Sequence, residues 1–141
     1  MNGKCLCGLT RFKLNIPRIK AYQCHCSLCR MQSGTASNLG TIVDAKDFEW
    51  LSGIHHIKSW VKDTGFTADF CTNCGSPVPN KLRGLDFYRV PVGAMEASAQ
   101  VEVVAHLCIN SKVNWVPIPL ITTRYGDLPN IAEFIKKLNT F

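Results

Sequence analysis

The chain has 141 residues, of which 46% are hydrophobic, and a formal net charge of +6. This length predicts one domain spanning residues 1–141, and no apolar run reaches the ~18 residues of a membrane span, so no membrane partner is expected. Cys5 and Cys7 fall where the apolar core of a secretory signal would lie, which places the eight cysteines in a reducing, cytoplasmic setting where metal binding is favoured over disulfides.

In chain order, the first feature is Cys5-Leu6-Cys7-Gly8. An extended Cys-x-Cys puts both sulfurs on one side, and the glycine can adopt the left-handed backbone that folds amides around sulfur. Leu9 to Leu14 is rich in strand formers and reads as a strand. Next comes Cys24-His25-Cys26-Ser27-Leu28-Cys29, which combines the Cys-x-Cys and Cys-x-x-Cys spacings. If both flanking cysteines face a metal, His25 points away from it. His55 and His56 follow Gly53 in an expected turn and read as solvated or packed side chains. Cys71-Thr72-Asn73-Cys74-Gly75 is a second Cys-x-x-Cys with its own trailing glycine.

Phe87 to Val92 and Val101 to Ile109 read as further strands. In the latter, Val101, Val103, Ala105, Leu107 and Ile109 share one face, with Glu102, Val104, His106 and Cys108 on the other. Cys108 lies outside the clusters and is read as a buried, unliganded thiol; His106 is a candidate for lining a pocket. After Pro129, Ile131, Phe134, Ile135 and Leu138 follow helical spacing, with Lys136 and Lys137 in the last turns, so a C-terminal helix should dock on the sheets. The fold class expected is mainly β, a single body of antiparallel sheets closed by that helix.

Seven clustered thiols do not fill two tetrahedra. The natural partition joins Cys5, Cys7, Cys71 and Cys74 in a closed site and leaves Cys24, Cys26 and Cys29 with an open fourth position; closed sites are structural and open ones catalytic. The alternative, with Cys108 as the fourth ligand, would abolish that opening. Three thiolates around a divalent ion make a poor activator of water and a better partner for a substrate thiol. Arg30, next to Cys29, could meet a carboxylate of such a substrate. The alternative is a non-catalytic zinc module that binds nucleic acid or a protein partner; the basic residues are otherwise scattered, so the net charge admits nucleic acid without favouring it, and no recognition helix lies between the cysteine pairs.

Gly3 to Gly8, Cys24 to Arg30 with Gly34, and Phe70 to Ser76, followed by Val92-Gly93, His106, Ser111-Lys112 and Trp115, resemble the glutathione-dependent formaldehyde-activating enzyme family, which also includes centromere-protein-V-like proteins. The resemblance implies coiled antiparallel β-sheets and two zinc ions, one structural on Cys5, Cys7, Cys71 and Cys74 and one catalytic on Cys24, Cys26 and Cys29. It also implies the joining of glutathione to formaldehyde to give S-hydroxymethylglutathione, with the reverse cleavage classed as a carbon–sulfur lyase reaction. The implied partners are a small-molecule thiol and an aldehyde. The chain is shorter than the family's founding enzymes, and Val116 to Arg124 departs from the pattern, so its substrate contacts are expected to differ.

Overall fold

A computed structural model describes all residues from Met1 to Phe141. Its centre is a six-stranded sheet ordered β11-β10-β3-β4-β9-β8, built from β3 (Ile19–Cys24), β4 (Asn38–Asp44), β8 (Asn80–Lys81), β9 (Phe87–Pro91), β10 (Val101–Leu107) and β11 (Thr123–Arg124). A three-stranded sheet of β1 (Asn2–Lys4), β2 (Arg11–Leu14) and β5 (Phe48–Ser52) covers part of it, and β6 (Ile57–Val61) pairs with β7 (Thr67–Cys71) as a separate hairpin. The mainly β reading holds.

The middle strand β3 is buried on both faces, and the two-residue period of a strand divides its side chains between two cores. Ile19 and Ala21 join Phe12, Leu14, Val43 and Val90 between the sheets. Tyr22 and Cys24 point the other way, toward Ile42, Leu107 and the C-terminal helix. That helix, α2 (Ile131–Asn139), starts where the Asn130 side chain accepts a hydrogen bond from the Glu133 amide at 3.1 Å. It buries Phe134, Ile135 and Leu138; three such side chains contribute roughly 5–9 kcal/mol of hydrophobic stabilisation. Asn139 Nδ2 ties the end of α2 to the Ile42 carbonyl at 3.0 Å. Ile131 stays nearly half exposed at the rim.

Three details differ from the expected elements. The strand expected from Leu9 begins at Arg11, because Thr10 is spent on the turn around Cys5, whose amide donates to the Thr10 carbonyl. A short helix, α1 (Ser27–Ser33), occupies the β3–β4 connection. The strand expected to reach Ile109 stops at Leu107 and runs parallel to β3, with a register shift between Val103 and Ala105. Past that shift the pairing is regular, and Ala105, His106 and Leu107 are all buried because both faces of the strand are covered there, Ala105 and Leu107 by the core against α2 and His106 by His25. Within a largely antiparallel architecture, β10 is thus parallel to both of its neighbours. The divergent stretch after Trp115 leaves Leu120 and Ile121 almost fully exposed and returns to the sheet as β11.

Candidate metal centres

The first cysteine cluster is assembled from three places in the fold. Cys5 follows β1, Cys7 lies in the turn to β2, and Cys71 closes β7 with Cys74 in the turn beyond it. Backbone hydrogen bonds from Gly8 to Cys5 and from Gly75 to Cys71 close two turns. Both glycines have positive φ, +78° and +73°, a conformation that most side chains resist. Ser76 links the turns: its hydroxyl oxygen accepts from the Leu6 amide at 3.0 Å. The four sulfurs lie within 4.8 Å of one another, with Cys5 and Cys7 3.5 Å apart and Cys7 and Cys71 3.8 Å apart.

These separations are too long for disulfides, and all eight cysteines are free thiols. They match the edge of a tetrahedron with zinc–sulfur bonds of about 2.3 Å, which is about 3.8 Å. The protein also supplies hydrogen bonds to sulfur. The Thr10 amide donates to Cys5 Sγ at 3.4 Å, and the Ser76 hydroxyl and amide pull the Cys74 thiol down to about 5. The donor set therefore fits a thiophilic divalent ion. Cys5 and Cys71 are fully buried beside Val78.

The second cluster sits where β3 runs into α1. Cys24 is the last residue of β3, Cys26 caps α1 by accepting the Cys29 amide on its sulfur at 3.3 Å, and Cys29 lies in the first turn. Their sulfurs also lie within 4.8 Å of one another. Contact with the Cys29 thiol draws Cys24 down to about 6, and the same contact, joined by burial, pushes Cys29 strongly up. Cys24 and Cys29 thus share protons unequally, and a divalent ion favours ionised sulfur ligands. This cluster fits a metal as well, with one ligand fewer than the first.

Cys108 comes closer than its place in the sequence suggests. It is buried, lies beside Cys24, and takes a left-handed backbone with φ 57°. Burial and the neighbouring Cys24 raise its pKa to about 12. Its sulfur falls outside the mutual 4.8 Å grouping of the other three.

His25 turns away from the cluster. Its amide donates to the Leu107 carbonyl, and its Nε2 lies 2.9 Å from His106 Nδ1 with the rings stacked at 5.2 Å. Both rings are buried, and burial holds both below the ordinary histidine pKa. This pairing across 81 positions escaped sequence reasoning, which treated the two histidines separately. On another side His106 lines a cavity of about 620 Å³ with Gln23, Glu102 and Lys137, as expected of a pocket-lining residue. His55 and His56 lie in the turn after Gly53 with their rings 4.2 Å apart; the Thr72 amide, between Cys71 and Cys74, donates to the His56 carbonyl, but neither imidazole joins the sulfurs of that cluster. Arg30 Nη1 donates to the Ser111 carbonyl at 3.5 Å, so Lys112 lies in the segment held against α1.

Comparisons with known proteins agree with the cysteine pattern. A family model described as glutathione-dependent formaldehyde-activating enzyme matches residues 1–111. A Rhodobacter sphaeroides protein known from a crystal structure aligns over 89% of this chain and 99% of its own, at 21% identity and a TM-score of 0.58; this likeness bears on the fold. No curated protein matches the chain. No helix is long and apolar enough to cross a membrane.

Proposed function

The chain belongs to the glutathione-dependent formaldehyde-activating family, and from that premise we propose that it is a zinc-dependent carbon–sulfur lyase-like enzyme that joins a thiol such as glutathione to an aldehyde such as formaldehyde. The sulfur–carbon bond forms as the thiol proton is given up and the carbonyl oxygen becomes a hydroxyl. In this reading Cys5, Cys7, Cys71 and Cys74 hold a structural zinc, and Cys24, Cys26 and Cys29 hold a catalytic one. The observation that carries the reading is the convergence of the second trio of sulfurs without a fourth.

A bound zinc would supply a thiophilic Lewis-acid position that favours the deprotonated form of an incoming thiol. The protein's own groups do the rest. The cap at Cys26 and the buried His25–His106 contact fix the start of α1, and with it the relative placement of the three sulfurs. Because His25 Nε2 and His106 Nδ1 are engaged with each other, neither is offered to substrate. Arg30 and Lys112 place positive charge beside α1, which suits the carboxylates of a glutathione-like molecule.

Cobalt loading followed by addition of glutathione tests the reading. A fourth sulfur should alter both the sulfur-to-cobalt bands and the ligand-field bands, protons should be released near neutral pH, and S-methylglutathione should reproduce neither effect. An unchanged spectrum at saturation, with calorimetry recording that glutathione binds, would contradict it.

A further inference from the structure

Next to Cys24 and Cys29 lies a second cavity, of about 300 Å³. Tyr22, Leu107 and Phe134 form its buried inner wall, and Leu128 and Ile131, both substantially exposed, form its rim. Arg89 is the single charged side chain on its lining, and it lies beside the Tyr22 phenol.

The cavity is a poor match to either small substrate named so far. Formaldehyde is far too small to fill it. Glutathione carries two carboxylates and an ammonium group, and transferring those from water to an apolar wall is unfavourable unless each finds a partner. One guanidinium does not provide three. In size the space is about twice a cavity of ~150 Å³ that takes up benzene. The family match ends at residue 111, whereas the rim and part of the inner wall come from residues 128–134. The apolar character is thus completed by a segment outside the matched region, folded back beside the second cysteine cluster.

We propose that this cavity is a substrate pocket, and that the thiol or the aldehyde handled at Cys24, Cys26 and Cys29 carries an apolar group of roughly six to ten carbon atoms. The proposal rests on the thiol–aldehyde reading above and narrows it. The charged part of a substrate stays on the Arg30 and Lys112 side, while the apolar part passes the paired sulfurs into the space beneath Leu128 and Ile131. The same chemistry can arrive from either reactant, so two homologous series separate the sources.

Calorimetric titration of the metal-loaded full chain with straight-chain thiols of two to eight carbons, and in parallel with the aldehydes of the same lengths, is the test. In one series the dissociation constant should fall about three- to fourfold per added methylene until the pocket is full. The series showing the gradient identifies the reactant that carries the apolar group. In the double variant Leu128→Asp, Ile131→Asp the gain per methylene should drop below about twofold. Both positions are exposed enough to accept the change, and circular dichroism and metal content establish that the variant is intact.

Lack of a gradient in either series while glutathione still binds would overturn the pocket and leave the thiol reading standing. A gradient in aldehydes with no thiol binding would support the pocket and remove the thiol reading. A gradient unaffected by the double variant would show that the apolar group binds elsewhere, and would also overturn the proposal.

Discussion

Replacing Cys71 with serine should be far more damaging than replacing Cys26, and the difference can be worked out from where the two residues sit. Cys71 is fully buried with Cys5 and Val78, and its sulfur lies 3.8 Å from that of Cys7, 64 positions away in the chain. If a metal joins them, it closes a loop of that length. The chain-entropy relation used for cross-links gives about 4 kcal/mol at room temperature for such a loop, out of the roughly 5–15 kcal/mol that holds a domain together. At about 3 °C per kcal/mol for a chain of this size, the melting midpoint should fall by about 12 °C. Cys26 closes only the short span between Cys24 and Cys29, and serine can still cap α1 by accepting the Cys29 amide. Cys26→Ser should therefore cost less than about 1 kcal/mol, or about 3 °C. Thermal unfolding of the metal-loaded proteins, followed by far-ultraviolet circular dichroism, measures both. Equal losses, or a Cys71→Ser protein melting with the wild type, would refute the division into a structural and a catalytic cluster.

Cys108→Ala should leave the metal content at the wild-type value, because Cys108 falls outside the converging trio; loss of one equivalent in elemental analysis would make it a ligand. Gly53 has φ +77°, and a Cβ there would sit 2.3 Å from the Leu9 carbonyl oxygen, so Gly53→Ala should destabilise by at least about 2 kcal/mol in a denaturant melt. Burial lowers the pKa of both His25 and His106, so the unfolded chain takes up protons that the folded pair resists. Their contribution is full above about pH 6.5 and shrinks as the pH falls below it. A nuclear magnetic resonance titration should place both rings below the ordinary histidine value, and signals titrating at or above it would contradict this account.

The individual cysteine pairs were legible because their geometry is local: Cys-x-Cys and Cys-x-x-Cys converge over a few residues, and Gly8 and Gly75 advertise the turns that follow, whereas the meeting of Cys5 and Cys7 with Cys71 and Cys74 spans 64 positions. Helix α2 was legible for the same kind of reason, since Phe134, Ile135 and Leu138 repeat on one face. Ile131 fits that periodicity but remains at the rim, because position on a helix face does not say how far the opposing surface extends. Helix α1 is only one turn longer than the Cys-x-x-Cys itself and exposes Met31, so it has no apolar stripe to read. The rest depended on long-range register. Parallel pairing of β10 with β3 places Leu107 opposite Cys24, and this register carries His106 to His25 and Cys108 to the edge of the trio. A strand's alternation constrains its faces, but not the neighbour it will meet or where its ladder will slip.

Zinc content per chain in the wild type, Cys71→Ser and Cys26→Ser proteins, measured by elemental analysis after exhaustive exchange into metal-free buffer, tests the central claim most directly. The account predicts two equivalents in the wild type and one in whatever folded fraction of each variant can be recovered. One equivalent in the wild type, or loss of both ions when Cys26 alone is changed, would contradict two separate centres.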